Sequence, residues 1–183
     1  MENNKFYITK AKYEAYLDEI KYLEAGDGSR LLAKLLASSP GSGMGRPNDL
    51  PAHILAGEMM GYLQEIKIIV RQAFIIDEIR EKDKDPDRVL VGSTVCVQYE
   101  DEDETVEYTI LGQKEVDTSQ GKISCLSPIG SALIGKCKGE LVVTKTPGSF
   151  REIRMKVLDV QRRSLEFDYG PSTWKEKLER ALP

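Results

Sequence analysis

The side chains best suited to metal chemistry stand close together in the chain, where Asp49-Leu50-Pro51-Ala52-His53 is followed by Glu58. Asp49 offers a hard carboxylate oxygen. His53, the only histidine, follows four residues later, a spacing that can place both groups on one helical face. One oxygen and one nitrogen donor make a poor Mg²⁺ site, because that ion takes several hard oxygens and histidine serves it badly. A second reading is structural: Asp49 caps a helix ahead of Leu50 and Pro51. Glu58 reads as a solvated surface carboxylate. Cys96, Cys125 and Cys137 have neither metal-ligand spacing nor an even count, and they read as small hydrophobes of a reduced protein.

Bulk properties narrow the choice of partners. A net charge of −4 and a pI near 5.3 argue against binding nucleic acid through a broad basic face, since phosphate neutralisation needs clustered Lys and Arg. No secretory apolar region opens the chain, and no apolar run reaches the ~20 residues of a spanning helix. A soluble, cytoplasmic protein is expected. At 183 residues and 40% apolar composition, it can bury one good core or two small ones.

The elements that position Asp49 and His53 are helical. Thr9 can cap a helix whose apolar residues Tyr13, Tyr16, Leu17, Ile20 and Leu23 recur at spacings of three and four. Gly26-Asp27-Gly28 interrupts it, Ser29 offers a fresh cap, and Leu31, Leu32, Leu35 and Leu36 resume the stripe. Prolines and glycines from Ser38 to Pro51 then predict a loop. Leu55, Met59, Tyr62, Ile66, Ile69, Ala73 and Ile76 step by 4, 3, 4, 3, 4, 3, the spacing of a coiled-coil seam. Continued to about Lys82, that helix would be roughly 45 Å long. Two such helices joined by this loop pack most simply as an antiparallel hairpin over residues 1–86, with the loop at about 38–51 as its tip.

Charged residues 81–87, closed by Pro86, mark the expected domain boundary. Beyond them the apolar period changes to two. Val95, Val97 and Tyr99, then Val106, Tyr108 and Ile110, predict a hairpin around an acidic loop. Strands at Lys122–Leu126, Glu140–Lys145 and Ile153–Val160 complete a mostly antiparallel α+β domain over 87–161. In the tail, 162–183, Trp174, Leu178 and Leu182 share a face of a short helix that can dock on the chain's own body.

One stretch is more definite. Ser127 is placed to cap a short helix with Pro128 at its first position, Ile129, Leu133 and Ile134 form its apolar face, and Gly135 ends it. Val142-Val143-Thr144-Lys145-Thr146-Pro147-Gly148 follows as a strand and turn. Ser127-Pro128-Ile129, then Ile134-Gly135-Lys136, then the Val142 to Gly148 stretch together resemble the C-terminal signature of the Gre (GreA/GreB) family of bacterial transcript cleavage factors, in which a Ser-Pro-Ile helix, an Ile-Gly-Lys turn and a Val-x-Thr-Pro-Gly strand follow in this order.

The resemblance runs from about Thr9 to Val160 and implies an N-terminal antiparallel coiled coil followed by an FKBP-like domain. It implies a partner, RNA polymerase: the globular domain grips the rim of the secondary channel, here through Ser127, Pro128 and Ile129, and the coiled coil enters the channel. It implies RNA cleavage in backtracked complexes at the polymerase's own active site, so that the chain is not an autonomous enzyme but lends acids to a shared Mg²⁺. The family tip carries an Asp and a Glu three residues apart. Asn48-Asp49-Leu50-Pro51-Ala52-His53 keeps Asp49, as catalytic and metal-binding acid, and puts Ala52 in place of the second carboxylate. A non-cleaving channel inhibitor or competitor is therefore the alternative. An FKBP-like peptidyl-prolyl isomerase or chaperone is more remote, since aromatics are only 7% and the one Trp lies in the tail. A plain coiled-coil adaptor has no use for a tip so rich in Gly and Pro.

Overall fold

The computed structural model describes residues 6–38, 52–100, 104–145, 152–165 and 173–181. Asp49 and the body of the expected tip lie outside them. The fold is α+β, and its chain divides into two compact units: residues 1–11 with 73–166, and residues 12–72 with 167–183.

The first unit is built on a five-stranded sheet. β1 (Phe6–Ile8) and β2 (Ala73–Ile75) form a separate parallel pair; the main strands are β3 (Thr94–Tyr99), β4 (Thr105–Leu111), β5 (Lys122–Ser124), β6 (Leu141–Lys145) and β7 (Glu152–Gln161). Their order is β5-β4-β3-β7-β6, antiparallel except for the parallel β4–β5 pair. Alternation explains the inner face: Val95 and Val97 on β3 are fully buried, with Ile110, Met155 and Val157 beside them. The register of β3 on β7 slips between Cys96 and Val97, where a bulge absorbs one residue. All three cysteines are free thiols, and burial pushes the Cys125 thiol pKa up.

The parallel pair changes the expected plan. Instead of one helix running to Lys82, α3 (Ala52–Gln72, 21 residues) ends at Gln72, about 31 Å from its start, and α4 (Ile76–Lys82) begins after β2. Residues Ala73, Phe74 and Ile75 pair with Phe6, Tyr7 and Ile8, and the Tyr7 and Phe74 rings meet at 5.7 Å. Backbone pairing with a distant strand overrides a helical pattern that runs straight through Ala73. The charged run before Pro86 is held by side-chain hydrogen bonds. Arg162, next to β7, donates to the carbonyls of Arg80 (3.3 Å), Asp83 (2.6 Å) and Asp85. The compact units part after Gln72, and residues 167–183 go with the helices.

The second unit holds most of α1 (Lys10–Ala25), with α2 (Asp27–Ser38), α3 and α6 (Thr173–Ala181). Gly26 breaks the first arm, as its neighbours predict, but α2 opens at Asp27, so Ser29 lies inside the first turn and does not cap it. Leu55, Met59, Ile66 and Ile69 of the seam are buried, with Leu63 added. Leu17, expected on the apolar face of α1, is 42% exposed. α2 packs on α3 and on α6, and the Trp174 ring lies 5.8 Å from Tyr62. The tail helix thus docks on its own protein.

Two glycines sit on the exposed side of α3, where nothing lies within 4 Å of a Cβ added at Gly57 or Gly61. Each weakens the helix through backbone entropy alone. Gly57→Ala and Gly61→Ala should each stabilise the protein by about 1 kcal/mol and raise the melting temperature; a lower melting temperature for either would contradict an open helical environment.

The Tyr62 hydroxyl donates to the Glu19 carboxylate at 2.6 Å. Burial, then that hydrogen bond, raises the phenol pKa far above its ordinary value of 10.0. The folded chain therefore holds this proton more tightly than the unfolded chain does. Its contribution to stability is complete below pH 10.0 and is lost as the pH rises above that value. Tyr62→Phe should cost about 1 kcal/mol at neutral pH and flatten the alkaline fall in melting temperature. An unchanged alkaline slope would show that Tyr62 does not carry it.

Candidate functional site

The best-defined polar construction in the first unit is the entry to α5 (Pro128–Leu133). Ser127 is its N-cap: extended backbone precedes the helix, the Ser127 Oγ accepts from the Gly130 N–H at 3.0 Å, and it donates to the Ser124 carbonyl at 2.7 Å. Pro128 occupies the first turn, where a missing N–H has no consequence. A Cβ on Gly130 would stand 2.1 Å from the Ser124 carbonyl oxygen, so glycine is what lets the helix start so close to β5. Leu133 is fully buried and fastens the helix to the core, and Gly135, at φ 82, supplies the left-handed turn that ends it.

A second element holds the cap from the side. The Thr144 hydroxyl on β6 donates to the Pro128 carbonyl at 3.0 Å, tying the Val142-Val143-Thr144 strand to the Ser-Pro-Ile helix. The turn after α5 is fixed to the chain near Val89 by two backbone bonds of 2.8 Å, Val89 N–H to Lys136 carbonyl and Gly135 N–H to Val89 carbonyl. Ile129 is half-buried, and Leu126 beside the cap is 58% exposed. Leu141 and Val143 on the edge strand β6 are also exposed. The three fragments of the sequence signature thus form one local assembly with apolar side chains at its surface. Leu126 and Thr144 are parts of it that periodicity alone does not single out. An exposed leucine directly before a Ser-Pro cap is the signal for the first, while the second needs the strand's position.

The metal-ligating candidates are differently placed. His53 and Glu58 are both exposed on α3, and five residues of helix set them about 140° apart, on different faces. Asp49 lies outside the described residues, so its pairing with His53 is not part of the geometry. Among the described residues no three His, Cys, Asp or Glu side chains gather into a group able to hold a metal ion. The described residues do not by themselves fit a Mg²⁺ site. Among them, no helix is long and apolar enough to cross a membrane.

Comparison with known proteins bears on the same region. The family model "Transcription elongation factor, GreA/GreB, C-term" matches residues 83–162, which include the whole α5–β6 assembly. Transcription elongation factor GreA of Chloroherpeton thalassium is 32% identical over 160 residues, covering 87% of this chain and 98% of that protein. GreA of Roseiflexus sp. is 41% identical over 101 residues, 55% of this chain and 61% of that one. A solved GreA/GreB factor from Nitrosomonas europaea is 24% identical, covers 85% of this chain and 98% of its own, and superposes with a TM-score of 0.37. The match over nearly the full length of the Chloroherpeton protein, with the specific wording seated on one built assembly, makes this chain a member of the GreA/GreB family.

Proposed function

We propose that this protein regulates transcription elongation by binding RNA polymerase through the entry of α5, with Ser127, Pro128 and Ile129 in the contact, and by passing its helical unit into the secondary channel. The observation that carries the reading is the α5–β6 assembly: a capped helix start, cross-tied by Thr144, with Ile129 and Leu126 at its surface. In this reading the helical unit works as the family's antiparallel coiled coil and the sheet unit as its FKBP-like domain. Residues near Asp49 form the end that approaches the polymerase active site. Mg²⁺ bound there would supply Lewis-acid chemistry, and Asp49 would be the acid this chain brings to it.

A second reading is favoured by one residue. Ala52 stands where the family's second carboxylate belongs, and an alanine cannot ligate a cation. The protein then occupies the channel without cleaving and competes with factors that do. The two readings separate in a stalled, backtracked elongation complex carrying labelled RNA. If the tip retains activity, wild-type protein shortens the RNA slowly and with a high Mg²⁺ demand, Asp49→Asn abolishes this, and Ala52→Glu accelerates it. If the tip only blocks, wild type leaves the RNA intact while slowing elongation. Brisk cleavage at low Mg²⁺ that survives Asp49→Asn would refute the assignment of Asp49 and make Glu58 the next acid to test.

A further inference from the structure

The helix α6 lies beyond residue 162, where the family match ends, yet it packs on the helical unit that the family reading assigns to the channel. It is nine residues long, below the ~12–15 at which an isolated helix becomes even marginal, so it is helical because it is docked. Its footprint is one narrow stripe. Trp174 and Leu178, four residues apart, are 4% and 1% exposed, while Lys175, Glu176, Lys177, Glu179 and Arg180 face solvent. The surface it covers is made by α2 and by the Tyr62 ring of α3. Next to it the fit is imperfect: the Tyr22 hydroxyl is buried without a hydrogen-bond partner among the described residues, with the acids Asp27 and Glu179 as its charged neighbours.

We propose that α6 is an autoinhibitory cover of the helical unit: docked through Trp174 and Leu178 it adds a third helix beside α2 and α3, and it must leave before that unit enters the polymerase channel. The proposal rests on the channel-binding reading above. An added helix is about 10 Å across and makes the part to be inserted three helices wide at the level of α2 and α3. A helix with a two-residue anchor and a solvated outer face can leave while α2 keeps its own packing on α3. The partner that displaces it is the polymerase, because the inserted complex forms only from the undocked state; the affinity of that complex then falls by the fraction of molecules that are undocked.

Trp174 is the only tryptophan, so the full chain carries its own reporter. With 7-azatryptophan incorporated, the free protein should resist acrylamide quenching, and adding core RNA polymerase should expose the fluorophore. Leu178→Asp should expose it without polymerase and, for a docked fraction of about 90%, tighten the apparent Kd about tenfold. A Trp174→Ala, Leu178→Ala variant should bind equally tightly. A fluorophore that stays shielded in the complex, or variants that bind no more tightly than wild type, would overturn the cover while leaving the polymerase reading intact. Absence of binding by wild type and both variants would instead remove the polymerase reading, and the cover with it.

Discussion

Gly112→Ala is expected to destabilise the sheet unit by about 3 kcal/mol and to release the N-terminal strand from it. The backbone at Gly112, φ −70 and ψ 165, suits any residue, so the effect is one of space alone. A Cβ at this position would stand 1.5 Å from the Tyr7 carbonyl oxygen, inside any contact distance, and the obstacle is main chain that cannot rotate away. Either β1 or the 112–115 turn must move, and both are tied to the same group. Glu115, 8% exposed, accepts from the Thr9 N–H at 3.0 Å and from the Thr9 hydroxyl at 2.6 Å. The next amide, Lys10 N–H, is taken by Asp77 at 2.8 Å. These are first-turn donors of α1 that the helix itself cannot satisfy. Moving β1 therefore forfeits its pairing with β2 and leaves the start of α1 uncapped. Hydrogen exchange should detect this as lost protection at Tyr7 to Lys10 together with Phe74 and Ile75, with β3 and β7 largely unaffected. A melting temperature equal to wild type would mean that Gly112 does not touch β1.

This clamp also marks the limit of what the sequence makes legible. The α5 cap can be read directly, because Ser-Pro-Ile followed by glycine is short-range chemistry in which each residue's role depends on neighbours within a few positions. The β3–β4 hairpin and the outer strands are readable for the same reason, through period-two alternation. The β1–β2 pair is not. Each strand has only three residues, they are parallel, and their partners are about 67 positions apart, so Ala73 to Ile76 simply continue a helical seam. Glu115 in a polar stretch reads as a surface charge until Thr9 is placed against it. The break at Gly26 is visible in the sequence, but the site that receives Trp174 is not, since it takes residues from two helices to build it. Among the candidate functional residues the split follows the same line. Ser127, Pro128 and Ile129 occupy the local geometry their types predict, while Asp49 depends on a stretch whose composition forbids helix without specifying anything else.

Ile129→Asp should weaken association with RNA polymerase about 30-fold while leaving the fold in place. The fold survives for two reasons. Ile129 is only half-buried, the anchoring side chain being the fully buried Leu133 one turn later. An aspartate near the start of α5 also meets the positive end of the helix and its free N–H groups, which favours the helix and partly offsets the lost apolar contact. The Ser127 cap, the Gly130 approach to Ser124 and the Thr144 bond to the Pro128 carbonyl involve no atom of the Ile129 side chain. Binding has no such compensation. A hot-spot residue of an interface accounts for about 2 kcal/mol, and in the proposed contact the substitution would also place a carboxylate against the partner. Leu126→Asp, at a neighbour that is 58% exposed, should weaken binding by a smaller factor if Ile129 lies nearer the centre. The measurement is an affinity titration of immobilised core polymerase, paired with thermal melting of each variant. Binding within twofold of wild type for Ile129→Asp, in a protein whose melting temperature is unchanged, would move the polymerase contact away from α5. Loss of binding accompanied by a large fall in melting temperature would instead assign Ile129 to the core, and Leu126→Asp would then carry the test of the surface.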